Sequence, residues 1–599
     1  MGCHRLGCAW LHPRSDRFPH PVSMKSVVFS GCRAQLHAPA DGTFHHLVVL
    51  CNAFGGEGLY AQRALGVLAE DLAAAGMAAL HLDYPGQGDS VDLAADDDAT
   101  EAWLAGVRAA LGWARSHFPG VALSLCGHRL GALLAAEVAA TEPDVQALLM
   151  LSPPQSGRHL VRELQLTAQP ADQGDGCFLY GWWLSKATLA GLQSLELSVV
   201  SRRPSLAVRA LSESGIRALV KLGQAHVAAG GCEFEVFEMP DLAGLRAEPH
   251  LVEAAENSFA HGVQWLAQWG SKASVLGLMA APALPMSTEL KLPEGLESGH
   301  RFGPDEAYFG VLCRPRQALP EQACVLILNT GGNPRSGHHR LGVALARALA
   351  SAGIASLRMD ASGIGDSLPV VRGRSLALYS QACPADVGHA LDWLTGQGWA
   401  RPVVFGLCSG AYLGLHAAAH ETRMGGLVMV NPQSFLWEGP IFGSETPAEG
   451  GAPAEVEIQR LDHYWRVVFT GRFWRRLWRA EVAVAGVLRQ VGKALWFRCA
   501  AALQARLPAS WALAPRAAKV QAHFEALAQR HLPLLLVYAD TDPGLNELQA
   551  CFGPGGRRLL RNPAASVHLV PGADHTFTAA ADSENLIQIV RQFVMARLA

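Results

Sequence analysis

The residues best suited to covalent chemistry lie in a short turn, Gly406-Leu407-Cys408-Ser409-Gly410. An apolar, strand-like run at 402–405 precedes this turn, and a helix-like Ala/Leu stretch at 411–420 follows it. A nucleophile between two glycines at a strand-to-helix turn is held in a strained backbone conformation, and the glycines leave room where strand and helix meet. The pattern predicts that Cys408 is presented as a nucleophile at the end of a strand.

An acid and a base follow in the chain order that such a nucleophile requires. The apolar run at 532–538 is followed by two aspartates, and we assign Asp542 as the acid because it lies in an Asp-Pro turn, with Asp540 as the alternative. The last strand-like run, 566–570, leads into a loop that contains His575. The order nucleophile, acid, base predicts a Cys-His-Asp triad.

These three residues have different expected roles. We expect His575 to take the thiol proton and Asp542 to orient the imidazole ring and stabilise its charged form. The resulting thiolate of Cys408 would attack an acyl carbon and form a thioester, which water or another nucleophile resolves.

A glycine-rich loop after the strand-like run 324–328 is placed to bind the oxyanion of such a reaction. Backbone N–H groups of glycines can approach a developing negative charge closely, and the residue after the nucleophile supplies a further N–H. The predicted oxyanion donors are therefore Gly331, Gly332 and Ser409.

The chain repeats itself, and the first copy lacks the nucleophile. The turn recurs 279 residues earlier as Gly127-His128-Arg129-Leu130-Gly131. Segments 76–90 and 353–367 are identical at eight of fifteen positions, including a shared Gly-x-Gly-Asp-Ser loop. Arg129 is always protonated and cannot act as a nucleophile.

The first copy also has no clear candidate for the acid or the base. No clear aspartate follows its strand-like run at 206–211, and His250 is at most a relic of the base. We predict a degenerate domain that serves as a partner surface, a regulator or a binder of an anionic group at Arg129.

Strands that alternate with helices in both copies indicate parallel sheets built from strand–helix–strand units. The turn around Cys408, the loop 363–367 and the turn 542–545 resemble those of the α/β-hydrolases associated with exosortase A and exopolysaccharide systems. The first half resembles a sister group that carries arginine at the nucleophile position. The resemblance covers about residues 25–599. It implies two tandem α/β-hydrolase domains, a hydrolase-type reaction, and a setting in bacterial surface polysaccharide or protein-sorting pathways.

Two other families resemble the second copy in its Cys-His-Asp set, namely dienelactone hydrolase and the polyester synthases. The name serine aminopeptidase, which is often given to such sequences, does not suit a chain with cysteine in one copy and arginine in the other. The sequence predicts a disordered tail at 1–23, a degenerate domain at 24–270, a linker at 271–285 and an intact domain at 286–599 with a helical cap at about 435–530.

Composition narrows the class of protein. Half of the 599 residues are hydrophobic and 17% are charged, and the net charge of −3 gives no general case for nucleic acid binding. No apolar run is long enough to span a membrane. The thirteen cysteines form no Cys-x-x-Cys pair, which favours a reducing, cytoplasmic location. The native start of the chain is predicted at either Met1 or Met24. No His/Asp/Glu cluster has the spacing of metal ligands, so we predict no metal and no cofactor.

The predicted cap is basic and rich in tryptophan. Segment 460–506 has ten Lys or Arg residues, two acids and four tryptophans. This composition fits contact with an anionic membrane surface or an acidic substrate, and equally a helix whose tryptophans pack over the site while its arginines face water.

Three functions are compatible with these features. The first is hydrolysis of an ester or thioester, with a small-molecule, glycan or lipid acyl substrate. The second is acyl transfer to a sugar or lipid hydroxyl by the same triad. The third is a non-catalytic scaffold in which both domains have lost their chemistry. The sequence does not fix the oligomeric state.

Overall fold

The structure is a computed structural model that describes residues 22–597, except 167–168, 171–175, 180, 248–251, 253, 274–283, 320–322, 370–383 and 437–514. The chain divides into two compact units, residues 1–290 and 291–599. Both are built on a mostly parallel sheet with helices on its two faces, which is the predicted architecture.

The sheet of the first unit has eight strands in the order β1-β2-β4-β3-β5-β6-β10-β11. The first two strands form an antiparallel hairpin that pairs antiparallel with β4, and the other pairings are parallel. Strands β7, β8 and β9 form a separate three-stranded antiparallel sheet. The strands are β1 Val22–Phe29, β2 Cys32–Pro39, β3 His46–Cys51, β4 Ala78–Leu82, β5 Ala122–His128, β6 Val145–Leu151, β7 Gln169–Pro170, β8 Cys177–Leu179, β9 Trp182–Leu184, β10 Ala207–Ser212 and β11 Phe234–Glu238.

Seven helices belong to the described part of this unit, and a 3-10 helix, Pro240–Arg246, follows the last strand. The α-helices are α1 Gly55–Ala74, α2 Ala99–His117, α3 Leu130–Ala139, α4 Gly157–Gln165, α5 Lys186–Ser194, α6 Arg217–Ala228 and α7 Glu256–Ala273.

The second sheet repeats this order, with one further edge strand: β12-β13-β14-β16-β15-β17-β18-β19-β20. Its hairpin β13–β14 pairs antiparallel with β16, and the strands from β16 to β20 are parallel. The strands are β12 Glu289–Lys291, β13 Gly295–Phe302, β14 Tyr308–Pro315, β15 Cys324–Ile327, β16 Ala355–Asp360, β17 Val403–Leu407, β18 Gly426–Val430, β19 Leu534–Ala539 and β20 Ala565–Val570.

The helices of the described part of the second unit are α8 Leu341–Ser351, α9 Pro384–Gly396, α10 Ser409–His420, α11 Pro515–Gln529, α12 Gly544–Phe552 and α13 Ala580–Met595. The central strands β15 to β19 are buried along their whole length, as expected for parallel strands with helices on both faces. Their side chains therefore supply two core layers, one on each face of the sheet.

The repeated Gly-x-Gly-Asp-Ser loop closes the turn after a strand. In the second unit, the hydroxyl of Ser367 donates to the backbone oxygen of Asp360 (2.7 Å) and accepts from the N–H of Phe309 on β14 (2.8 Å). The N–H of Asp366 donates to the Asp360 carboxylate (3.1 Å). The first unit makes the same three contacts with Ser90, Asp83, Arg33 and Asp89. The motif therefore serves the fold of both units.

Several predicted segments need correction or lie outside the described residues. Val22 and Ser23 were predicted to belong to a disordered tail, but they pair with Pro39 and Ala38 in the first hairpin, because the chain before Met24 continues the same extended ladder. Residues 1–21, most of the predicted linker and segment 437–514 of the predicted cap lie outside the described residues. The described helices include none that is long and apolar enough to cross a bilayer.

A buried ion cluster joins the hairpin of the second unit to its parallel strands. Glu297 on β13 contacts Arg358 on β16 (2.8 Å) and Arg347 on α8 (3.2 Å), and the Glu297 carboxylate is fully buried. Burial alone would raise the pKa of Glu297, but the two guanidinium groups outweigh burial and lower this pKa to about 2. The carboxylate is therefore charged in the folded protein at all ordinary pH values.

We expect Glu297→Gln to lower the free energy of unfolding of the second unit by about 3–5 kcal/mol, because two buried arginines lose their counter-charge. Denaturant unfolding measures this change in stability, with hydrogen exchange in peptides of residues 291–360 as the readout. The control is Asp392→Asn. Asp392 is 66% exposed and is one of two carboxylate partners of Arg423, the other being Glu421. We expect this change to cost at most about 1 kcal/mol. Equal stability of the two variants would contradict the role assigned to the cluster.

Candidate active site

The backbone at Cys408 forms the predicted strand-to-helix turn. Cys408 lies between β17 and α10 with φ 55° and ψ −114°, a conformation that L-residues rarely adopt. A Cβ atom on Gly406 would lie 2.2 Å from the backbone of Gly410, and one on Gly410 would lie 2.4 Å from the backbone oxygen of Asn329. Only glycine fits at both positions, so the tight turn forces the side chain of Cys408 away from the sheet.

The predicted acid and base are in contact. His575 lies in the loop after β20, and its Nδ1 is 2.6 Å from Oδ2 of Asp542, whose side chain is fully buried in the loop after β19. The alternative acid, Asp540, instead accepts a hydrogen bond from the N–H of Gly572 (3.0 Å). The geometry therefore favours Asp542 as the partner of the histidine.

His575 also meets the thiol of Cys408, so it bridges the nucleophile position and the acid. Burial alone would lower the pKa of His575, but hydrogen bonds to Asp542 and to Cys408 outweigh burial and raise this pKa to about 10. The Cys408 side chain is half-buried, as are Cys177 and Cys232, whereas the other cysteines of the described residues are buried. A thiol that contacts an imidazole and remains partly accessible has the surroundings of a reactive cysteine.

The glycine-rich loop lies beside Cys408, and the N–H of one of its two predicted oxyanion donors already makes a hydrogen bond. The N–H of Gly331 donates to the hydroxyl of Ser409 (2.7 Å). Gly331 can therefore donate to an oxyanion only after this hydroxyl rotates away. The loop is anchored by Asn329, whose amide donates to the backbone of Asn333 (3.0 Å) and to Asp360 (3.2 Å).

A cavity adjoins this loop. Apolar side chains at the carboxyl ends of β15 and β17 form one part of its lining, including Ile327 and Leu407. Polar side chains also line it, among them Thr330, Arg335 and Thr576. The lining is therefore mixed, and some of its residues are sequence neighbours of predicted site residues.

The first unit contains the same turn with different chemistry. Arg129 lies between β5 and α3 with φ 52° and ψ −115°, almost the backbone conformation of Cys408. Its guanidinium group meets Glu57 on α1 (3.2 Å) and Glu163 on α4 (2.7 Å), and the residue is 6% exposed. The guanidinium group of Arg129, which was predicted as a binder of an anionic group, is therefore already paired with two carboxylates of the same unit.

A second arginine extends this ion cluster. Arg246, at the end of the 3-10 helix after β11, contacts Glu163 (3.2 Å) and Glu213 (2.9 Å), and Glu213 accepts a hydrogen bond from Ser152 (2.5 Å). Glu213 directly follows β10, at the strand end where the sequence shows no clear aspartate. His250, the predicted relic of the base, lies outside the described residues.

Both units match models of α/β-hydrolase families. Residues 45–206 match the family described as serine aminopeptidase, S33, and residues 325–587 match the family described as alpha/beta hydrolase family. The predicted fold class, two tandem α/β-hydrolase domains, is thereby confirmed. The chain is an enzyme of the α/β-hydrolase type. No curated protein matches the sequence.

Three solved structures that align with part of this chain are as follows. Est1E from Butyrivibrio proteoclasticus has 15% sequence identity and a TM-score of 0.33, with 41% of this chain and 99% of that chain covered. Dienelactone hydrolase from Anabaena variabilis has 15% identity and a TM-score of 0.30, with 51% and 98% covered. Esterase Est22 has 16% identity and a TM-score of 0.30, with 51% and 82% covered.

The titration of His575 distinguishes the two candidate acids. We expect Asp542→Asn to lower the pKa of His575 from about 10, because burial still lowers this pKa while the raising effect of the carboxylate is lost. Asp540→Asn should leave it unchanged. NMR of 15N-histidine-labelled protein measures both, with the resonance assigned from His575→Gln. A shift in the Asp540→Asn variant alone would reverse the assignment.

The ion cluster of the first unit is testable by stability. We expect Arg129→Met to destabilise this unit by about 1–3 kcal/mol, because Glu57 and Glu163 lose a buried donor while remaining partly solvated. Hydrogen exchange in peptides of residues 122–165 under mild denaturant reports the change. Arg108→Met is the control, since Arg108 pairs with Glu101 on the surface. Unchanged hydrogen exchange in Arg129→Met would show that the ion cluster does not stabilise this unit.

Proposed function

We propose that the second unit hydrolyses an ester or thioester through a covalent acyl intermediate on Cys408. One observation carries this proposal: His575 contacts both Cys408 and the buried carboxylate of Asp542. A base between a nucleophile and an orienting acid is the arrangement that activates a weak nucleophile.

The first half-reaction follows from these contacts. His575 accepts the proton of the Cys408 thiol, and the sulfur forms a bond to the acyl carbon of the substrate. When the tetrahedral intermediate collapses, the bond to the leaving oxygen or sulfur breaks, and the leaving group takes the proton from His575. Asp542 stabilises the charged imidazole between the two proton transfers.

Backbone N–H groups stabilise the negative oxygen of the intermediate. The N–H of Ser409 lies at the start of α10 next to the nucleophile, and the N–H groups of Gly331 and Gly332 belong to the loop beside it. For Gly331 to take part, the hydroxyl of Ser409 must release its N–H.

The second half-reaction releases the acyl group. His575 removes a proton from water, whose oxygen attacks the thioester carbon, and the sulfur leaves with the proton from His575. If a sugar or lipid hydroxyl replaces water, the same steps give acyl transfer, and product analysis in the presence of an alcohol separates the two outcomes.

The first unit has a non-catalytic role in this proposal. Its nucleophile position carries Arg129, which is protonated at all accessible pH values and is held by two glutamates. The polar groups that face this position serve the ion cluster.

The resemblance to exosortase A-associated and exopolysaccharide-associated hydrolases suggests the biological setting. In that setting, the enzyme acts in the cytoplasm on an acyl group linked to a glycan or lipid, and the basic segment 460–506 contacts the anionic inner face of the membrane. We expect the protein to bind anionic vesicles at low salt. This binding should be lost when four arginines of the segment are neutralised, namely Arg472, Arg475, Arg476 and Arg479.

The decisive test is intact-mass spectrometry of the protein mixed briefly with short-chain p-nitrophenyl esters. We expect a mass increase of one acyl group on Cys408, and a fall in kcat/KM of at least about a thousandfold in Cys408→Ala, because the nucleophile is lost. Cys232→Ala is the matched control, since Cys232 is another half-buried thiol.

Arg129→Ala should keep both the adduct and the turnover. An adduct that persists in Cys408→Ala would contradict the assigned nucleophile. Absence of both adduct and nitrophenol release across a series of acyl lengths would favour the scaffold function instead.

A further inference from the structure

The segment that follows β18, Asn431-Pro432-Gln433, contacts the loops of both the acid and the base. The side-chain amide of Asn431 donates to the backbone oxygen of His575 (2.7 Å), and its oxygen accepts from the N–H of Ala539 at the end of β19 (2.9 Å). Asn431 is fully buried and has a positive φ of 43°. It therefore ties the histidine loop to the strand that carries the acid.

Gln433 contacts the acid itself. Its Nε2 donates to Oδ1 of Asp542 (2.8 Å) and lies 3.2 Å from Nδ1 of His575. The same Oδ1 accepts from the N–H of Gly544 (2.8 Å), while Oδ2 faces His575. The buried carboxylate thus has three N–H groups around it, and Gln433 supplies one of them from a side chain.

The physical effect of this contact has a definite direction. Burial disfavours a charged carboxylate, and each hydrogen bond to the charged form offsets part of that cost. Without the amide of Gln433, the carboxylate of Asp542 would lose one hydrogen bond and a directional constraint on Oδ1. The imidazolium form of His575, which burial alone disfavours, would then lose part of its stabilisation.

The first unit supplies an independent comparison. There, β6 is followed by Ser152-Pro153-Pro154, and Ser152 corresponds to Asn431 because both have a positive φ and both donate their N–H to the next parallel strand. Pro154 therefore corresponds to Gln433, and proline has no side-chain donor. The copy that carries arginine at the nucleophile position also lacks the amide that faces the acid.

We propose that Gln433 is a positioning residue, which holds the carboxylate of Asp542 directed at His575. The expected effect of Gln433 on kcat rests on the proposed function of Cys408, whereas its expected effect on the titration of His575 does not. This separates the two hypotheses experimentally.

The test uses Gln433→Met, which keeps the length of the side chain and removes the donor, and Gln433→Leu as a second variant without a donor. In the full-length protein, we expect NMR titration to show the pKa of His575 lower by about one unit in both variants. With p-nitrophenyl esters, kcat should fall about tenfold while KM stays within about twofold, because the loss concerns charge on the base and not substrate contact.

Gln521→Met is the control, since the buried Gln521 amide donates to the backbone of Cys551 on α12, away from Asp542. It should leave the His575 titration unchanged. An unchanged titration in the Gln433 variants, alongside a large shift in Asp542→Asn, would overturn the proposal. If the native protein forms no acyl adduct but the Gln433 variants still lower the pKa of His575, the positioning role stands and the proposed function fails.

Discussion

The close approach of strand β17 to helix α10 governs the arrangement of the second unit. Because neither Gly406 nor Gly410 has room for a Cβ atom, the chain passes from strand to helix within a single turn, and Cys408 takes a backbone conformation with positive φ. The surrounding sheet must compensate for the strain of such a conformation. The fully buried strands β15, β18 and β19 supply that compensation. The loops after β15 and β19 hold Gly331 and Asp542, and the loop after the edge strand β20 holds His575.

The same backbone supports two unlike chemistries in one chain. Both turns have nearly equal φ and ψ values, and both Gly-x-Gly-Asp-Ser loops make the same hydrogen bonds. The units differ in the side chains placed on that frame: a thiol, an imidazole and a carboxylate in one, and alternating arginines and glutamates in the other. Fold and chemistry are thus separable in this protein, as they are among α/β folds generally.

Part of this site could be read from the sequence because its signals are local. Cys408, Asp542 and His575 each follow an apolar strand, and parallel strands bring their carboxyl ends to one edge of a sheet. The Ser409–Gly331 bond and the Gln433–Asp542 bond join residues 78 and 109 positions apart, and no local pattern marks them. Likewise, Glu57 and Glu163 look like ordinary surface acids until the fold places them on Arg129, and Val22 and Ser23 become strand only through their partners across the hairpin.

The ion cluster around Arg129 also limits which side chains could work at this position of the first unit. If a single mutation placed cysteine at position 129, the carboxylates of Glu57, Glu163 and Glu213 would face Arg246 alone. Unneutralised negative charge beside a thiol favours its protonated form, so such a cysteine would be a poor nucleophile. A working thiol at this turn would therefore require the surrounding glutamates to change as well.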